Sequence, residues 1–183
     1  MQHSNIILWR HAQALPAMPT ANNSAYEDDM ARVLTAKGQH QAKQMARWLA
    51  TNLPKNTVLY SSPALRAFQT AEAIHKKINA SQALQPNANL QEVIEFLASI
   101  ATVEHLLLVG HEPWLGQLAA HLLGFSGAEI SIKKGAIWWL RLQSCELKPV
   151  RLIQKQINVN QINLYKILTV QTPKYLPEYS KQI

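Results

Sequence analysis

The sequence predicts an α/β fold, a three-layer α/β/α sandwich around a mainly parallel central sheet. Three observations carry that prediction. The runs "IILW", "VLY" and "HLLLV" are short, continuous and apolar, as strands covered on both faces are. Each is followed, after a polar or glycine break, by apolar residues at helical spacing. Beyond Gly124 the pattern changes to period two, which places antiparallel strands at the end of the sheet.

Taken in order, residues 6–9 form the first strand, and residues 12–34 read as irregular, with Pro16 and Pro19 excluding a long helix. Thr35 caps a helix that carries Ala42, Met45, Ala46 and Leu49 on one face and closes near Pro54. Residues 58–60 are the second strand. Ser62 followed by Pro63 reads as a helix start, a capping hydroxyl ahead of a first-turn proline, with Leu65, Phe68, Ala71 and Ile78 on its apolar face. Residues 79–89 read as a polar loop. Leu90, Val93, Ile94, Leu97 and Ile100 mark the next helix. Residues 105–109 are the third strand, and Leu115, Leu118, Ala119 and Leu122 mark the helix after it. Three stretches with strand character follow, "EISI", "AIWWLRL" and "VRLIQKQI", with a turn at Lys134 and Gly135. With no repeat, linker or low-complexity segment, residues 1–183 read as one domain.

Composition bounds the function. The chain is 48% apolar and 16% charged, the balance of a globular protein. No apolar run approaches the roughly 18 residues of a membrane span, and "MQHSNIILWRHAQ" lacks the cationic start and long apolar stretch of a secretory signal. A single cysteine, Cys145, leaves no internal disulfide and fits a reducing compartment. The expectation is a cytoplasmic protein with no membrane partner. The net charge of +7 is scattered, paired only at Lys76 with Lys77 and at Lys133 with Lys134. That pattern fits a solvated basic surface or a small anionic substrate better than nucleic acid.

Open α/β sheets place their chemistry just beyond the carboxyl ends of the strands. After the first strand come Arg10, His11 and Ala12; after the second, "SSPALR" with Arg66; after the third, Gly110, His111 and Glu112. A lone arginine is usually a solvated group and a lone histidine usually a structural one. Repetition at three strand ends changes that balance. Two guanidinium forks and two imidazoles make a pocket for a tetrahedral dianion. His111 with Glu112 does not open a zinc motif, because position 115 is Leu115 and not histidine. Cys145 and Arg151 have the Cys-x5-Arg spacing of a phosphate loop, but Glu146 would repel phosphate and Pro149 lacks an N–H. His3, His40, His75, His105 and His121 have no partner at a telling spacing and read as structural or solvated.

The segments "LWRHAQA", "LTAKGQHQA", "SSPALRAFQTAEAI", "LLLVGHEPWLG", "IKKGAIWWL" and "LTVQTPKYL" occur in an order and spacing that resemble the histidine phosphatase superfamily, of phosphoglycerate mutase-like fold. Within it the chain resembles the short SixA-type phosphohistidine phosphatases. The resemblance implies that His11 is the nucleophile, transiently phosphorylated on a ring nitrogen. It implies that Arg10, Arg66 and His111 bind the phosphoryl oxygens, with no metal and no cofactor. Ala12 departs from the Arg-His-Gly of many members, as it does in the SixA-like branch. The inserted segment that carries the proton donor of mutase-type members is missing. Glu112 stands where the acid-phosphatase branch has its acid, either as a proton donor or as a hydrogen-bonding residue.

A weak or absent donor favours P–N over P–O bonds, because the ring nitrogen of phosphohistidine leaves more easily than an alkoxide. The expected activity is therefore a phosphatase acting on phosphohistidine in a protein, most simply as a monomer. The alternatives are a phosphomonoesterase acting on a small phosphate ester, and a phosphate- or phosphoprotein-binding module without turnover.

Overall fold

The computed structural model describes residues 3–18, 24–125, 127–143 and 165–176. Its centre is a six-stranded sheet in the order β3-β2-β4-β1-β5-β6. The strands are β1 (Asn5–Arg10), β2 (Val58–Ser61), β3 (Ile78–Ala80), β4 (His105–Gly110), β5 (Ile137–Leu142) and β6 (Tyr165–Gln171). The first four are mutually parallel, β5 runs antiparallel beside β1, and β6 antiparallel beside β5 at the sheet edge. The helices are α1 (Ala25–Met30), α2 (Ala36–Asn52), α3 (Leu65–Glu72), α4 (Leu90–Ser99) and α5 (Trp114–Leu122).

The continuous apolar runs explain the layering. Successive side chains of a strand point to opposite faces, so Ile6 and Leu8 enter one core and Ile7 and Trp9 the other. On the first face, Leu106 and Leu108 join Val93 and Leu97 of α4 and Leu115 and Leu118 of α5. On the second, Leu107 and Val109 join Met45 and Leu49 of α2 and Ala67 and Ala71 of α3. The sheet therefore lies between two helical layers. Each fully buried Leu, Ile or Val stabilises by about 1.5–3 kcal/mol, which makes the strands a firm frame for whatever their ends carry.

Several local expectations change. Residues 12–34 contain α1, six residues capped by Ser24, whose hydroxyl accepts the N–H of Glu27 while that glutamate reaches back to the Ser24 N–H. Ser62 accepts the N–H of Ala64, but α3 begins only at Leu65. Ser62 instead prolongs the sheet, donating its N–H to Val109 O at 2.9 Å, so Pro63 precedes the helix. Ile78 is not on α3, which stops at Glu72 ahead of the left-handed backbone of His75 (φ 56°); it begins β3. The stretch 79–89 holds the rest of β3 and a 3-10 turn at Gln82–Leu84 that buries Leu84. "EISI" is not a strand, because its N–H groups go elsewhere: Ile130 donates to Gly116 O and Ile132 to the Glu112 carboxylate. The "VRLIQKQI" stretch and the Cys145 and Arg151 pair lie outside the described residues. Among the described residues no helix is long and apolar enough to cross a membrane.

Candidate active site

Register positions the site. Arg10 pairs with Gly110 and Ser61 with Val109, so β1, β2 and β4 end level. Sheet-like bonding persists one residue further, with His11 N–H donating to Gly110 O at 3.0 Å. Arg10, His11, Ser62, Arg66 and His111 thereby reach one rim. The rings of His11 and His111 are 5.0 Å apart between centroids. His11, Arg66 and His111 are only 5, 3 and 2% exposed. Gly110 admits the turn into α5, because a Cβ there would meet the Trp114 indole at 2.0 Å.

His11 Nδ1 lies 2.8 Å from Ala12 O. A carbonyl only accepts, so the ring proton is on Nδ1 and Nε2 keeps its lone pair. Ala12 N–H donates to Thr70 Oγ1 at 3.1 Å, and the Thr70 hydroxyl donates to Arg66 O at 2.7 Å, tying this loop to α3. Burial pushes the His11 pKa down to about 3; the bond to Ala12 opposes this, and Arg66, Arg10 and Lys134 reinforce it.

His111 Nε2 meets Ser62 Oγ at 2.8 Å. The Ser62 hydroxyl already accepts Ala64 N–H. Donating its own proton to Nε2 assigns the ring hydrogen of His111 to Nδ1. That Nδ1 is buried without a partner among the described residues. Burial first, then the charges of His11, Arg66, Arg10 and Arg32, push its pKa down to about 2.

Both arginines are held from outside the rim. Arg66 Nη2 pairs with Asp29 Oδ2 at 2.8 Å, and its Nη1 donates to Asp29 O. Asp29 also takes Arg32 Nη1 at 2.9 Å. Burial alone would raise the Asp29 carboxyl, but hydrogen bonds from Arg32 and Arg66 hold it below its ordinary value. Arg10 Nη1 donates to Ile132 O at 2.6 Å. The Nε atoms of Arg10 and Arg66 are both buried without partners among the described residues. Buried donors normally find acceptors. Among the described residues the three side-chain nitrogens that do not, two arginine Nε and His111 Nδ1, belong to the rim.

Glu112 lies at the same rim with both oxygens engaged: Oε1 accepts Ile132 N–H at 2.8 Å and Oε2 accepts Gly116 N–H at 3.3 Å. Burial raises its pKa, against the pull of those bonds and of Arg10. The strand-end residues named from the sequence therefore come together. Asp29, Thr70, Lys134 and the partnership of Ser62 with His111 were not visible there. Asp29 has a local signal in its i,i+3 spacing to Arg32, but its bond to Arg66 joins residues 37 apart. Of the remaining histidines, His3 is buried with both nitrogens on carbonyls and His105 bonds Asn5, while His40, His75 and His121 are exposed.

A sequence model described as the histidine phosphatase superfamily (branch 1) matches residues 6–94. An uncharacterized protein of Picosynechococcus sp. is 34% identical over 131 residues, 66% of this chain and 78% of that protein. The phosphohistidine phosphatase SixA homolog of Haemophilus influenzae is 27% identical over 135 residues, covering 66% of this chain and 77% of its own. Among solved structures, the protein histidine phosphatase SixA complexed with tungstate superposes with a TM-score of 0.69 at 22% identity, covering 94% of this chain and 99% of that one. A phosphoserine phosphatase mutant from Entamoeba histolytica, in complex with phosphoserine, shares the fold with a TM-score of 0.63 at 14% identity, over 94% and 99% of the two chains.

Proposed function

The chain belongs to the histidine phosphatase superfamily, and from that premise we propose that it hydrolyses phosphohistidine on a protein through a phosphorylated His11. The observation that carries this reading is a neutral His11 with a free Nε2, set among buried arginine and histidine nitrogens that lack acceptors. In this reading Nε2 attacks phosphorus while Arg10, Arg66 and His111 hold the three phosphoryl oxygens, which travel with phosphorus. The P–N bond to the substrate ring breaks, and that ring leaves with the electron pair. Water then attacks phosphorus, the bond to His11 breaks, and inorganic phosphate departs. Two easier displacements replace one, and the loose transition state of phosphoryl transfer is served by fixed charge and position.

The substrate class follows from the leaving group. Asp29 behind the rim and Glu112 on it have their oxygens taken by arginines and by backbone N–H groups. Neither is placed to protonate an alkoxide, whereas an imidazole leaves without such help. The name of the Haemophilus influenzae relative agrees with this reading. The test is side-by-side turnover of a phosphohistidine protein and a panel of alkyl phosphates. The expected result is a kcat/KM higher on phosphohistidine by about 100-fold or more, the size of a missing general-acid contribution, and unchanged by EDTA. Equal or better turnover of the esters would favour a phosphomonoesterase, and binding without turnover of either would favour the binding module.

A further inference from the structure

We propose that Glu112 is a positioning residue for Arg10, acting through the chain segment 129–132 and not on the substrate. Glu112 spans a gap between two pieces of backbone, the first turns of α5 at Gly116 and the segment that crosses over them at Ile132. Ile130 N–H donates to Gly116 O at 3.4 Å, which laces the same two pieces a second time. Their approach needs glycine: a Cβ on Gly116 would meet Ile130 O at 1.8 Å and Glu112 Oε2 at 2.9 Å. The Ile132 side chain is fully buried in the core, so the segment has little freedom once its N–H is fixed.

What the bracket holds is the carbonyl of the same residue. Ile132 gives its N–H to Glu112 at 2.8 Å and takes Arg10 Nη1 on its oxygen at 2.6 Å. That leaves Arg10 Nε buried and unpartnered at the rim. Glu112 therefore sets the guanidinium without touching what the guanidinium binds. An ionised carboxylate suits this task, since both oxygens accept. A general acid would need one of them to carry a proton toward a leaving group, away from the backbone N–H it now faces.

This inference rests on the reading that Arg10 binds the phosphoryl group, and tungstate tests it without any turnover. Titration calorimetry with inorganic tungstate should show binding about 10-fold weaker in Glu112→Ala, the loss expected when one charge-assisted hydrogen bond loses its alignment. Glu112→Gln keeps one acceptor and should lose less, about 3-fold. Gly116→Ala, whose Cβ would push both the segment and the Glu112 carboxylate away from the bracket, should match Glu112→Ala. Should that variant fail to fold, the double variant Arg10→Ala with Glu112→Ala decides: it should bind tungstate no more weakly than Arg10→Ala alone. Turnover in Glu112→Gln should fall by one common factor on phosphohistidine and on alkyl phosphates. Unchanged tungstate affinity in Glu112→Ala, additive losses in the double variant, or a selective collapse on alkyl phosphates would each overturn the proposal. Normal tungstate binding by a wild type that turns over neither substrate would sink the proposed activity and leave the bracket standing. A wild type that does not bind tungstate would sink the bracket.

Discussion

At the amino ends of the sheet, the Asn5 side chain accepts Trp139 Nε1–H at 2.8 Å and Arg141 Nε–H at 3.3 Å, and its amide donates to His105 Nδ1 at 3.0 Å. His3 beside it places one ring nitrogen on Val103 O and the other on Leu97 O, and its own carbonyl accepts the Tyr165 hydroxyl at 2.7 Å. At the carboxyl ends of the same strands, Arg10, Arg66 and His111 each retain one buried nitrogen without a partner among the described residues. Histidine and arginine thus appear at both ends with opposite outcomes. Where polar groups satisfy one another they hold the fold together. Where they are kept apart, each orphaned donor costs about 1–3 kcal/mol, a cost that the two apolar layers offset and that suits an anion arriving from outside. Burial of a histidine therefore does not mark the site, since His3 is fully buried at the other end. The mark is an unmet hydrogen bond.

Substitutions at the two ends should separate activity from stability. The largest effect belongs to His11→Ala, which should remove phosphatase turnover entirely while urea denaturation at pH 7 shows a folded protein that has lost no more than about 1–2 kcal/mol, from the orphaned Ala12 carbonyl. Arg10→Ala and Arg66→Ala should each lower kcat by about 100- to 1,000-fold, roughly 3 kcal/mol, on the scale of a lost oxyanion contact. Full activity in either variant would erase the distinction between the two ends.

Acid should act on the rim. His11 and His111 have folded pKa values of about 3 and about 2, against an ordinary value near 6.5 in the unfolded chain. Between those values the unfolded chain binds more protons, so stability falls as the pH drops below about 6.5 and goes on falling toward the folded values. At pH 5 the loss should be about 2 kcal/mol per histidine relative to pH 7. His11→Asn and His111→Asn should each remove about one proton from that slope. A wild-type stability that is flat from pH 7 to pH 5 would contradict the burial of neutral imidazoles.

The opposite dissociation is expected at the other end. His3→Ala removes the ring N–H that one of the Leu97 and Val103 carbonyls accepts, empties a fully buried position, and should cost about 2 kcal/mol of stability, with kcat/KM for phosphohistidine within about twofold. The smallest effect is that of Asp29→Asn, which weakens the tether on Arg66 without removing the arginine. Its kcat should fall about tenfold, near 1.4 kcal/mol, the value of one hydrogen bond to a charged group.

The frame was legible because its signals are long. Four-residue apolar runs and helical faces such as Ala42, Met45, Ala46 and Leu49 reflect burial that dominates everything local. The short elements were not: α1 has six residues and β3 three, too few for a period to emerge. The alternation of "EISI" is real, since Ile132 is buried in the core, but a carboxylate and a helix carbonyl capture its N–H groups before a sheet can. At the site, Arg10, His11, Arg66 and His111 were legible as ends of strands or first turns after them. Asp29 was not, because nothing in the chain links it to Arg66 before folding does. Glu112 was visible as an acid, and only the structure shows both of its oxygens turned to the backbone.

The central claim is that His11 carries the phosphoryl group between substrate and water. It is tested most directly by mixing the protein briefly with a labelled phosphohistidine protein, quenching without acid, and locating the label. The account predicts a phosphate on the enzyme that is labile to acid, stable to base, mapped to His11 and missing in His11→Ala. Label that persists in His11→Ala, or that resists acid in the wild type, would contradict it.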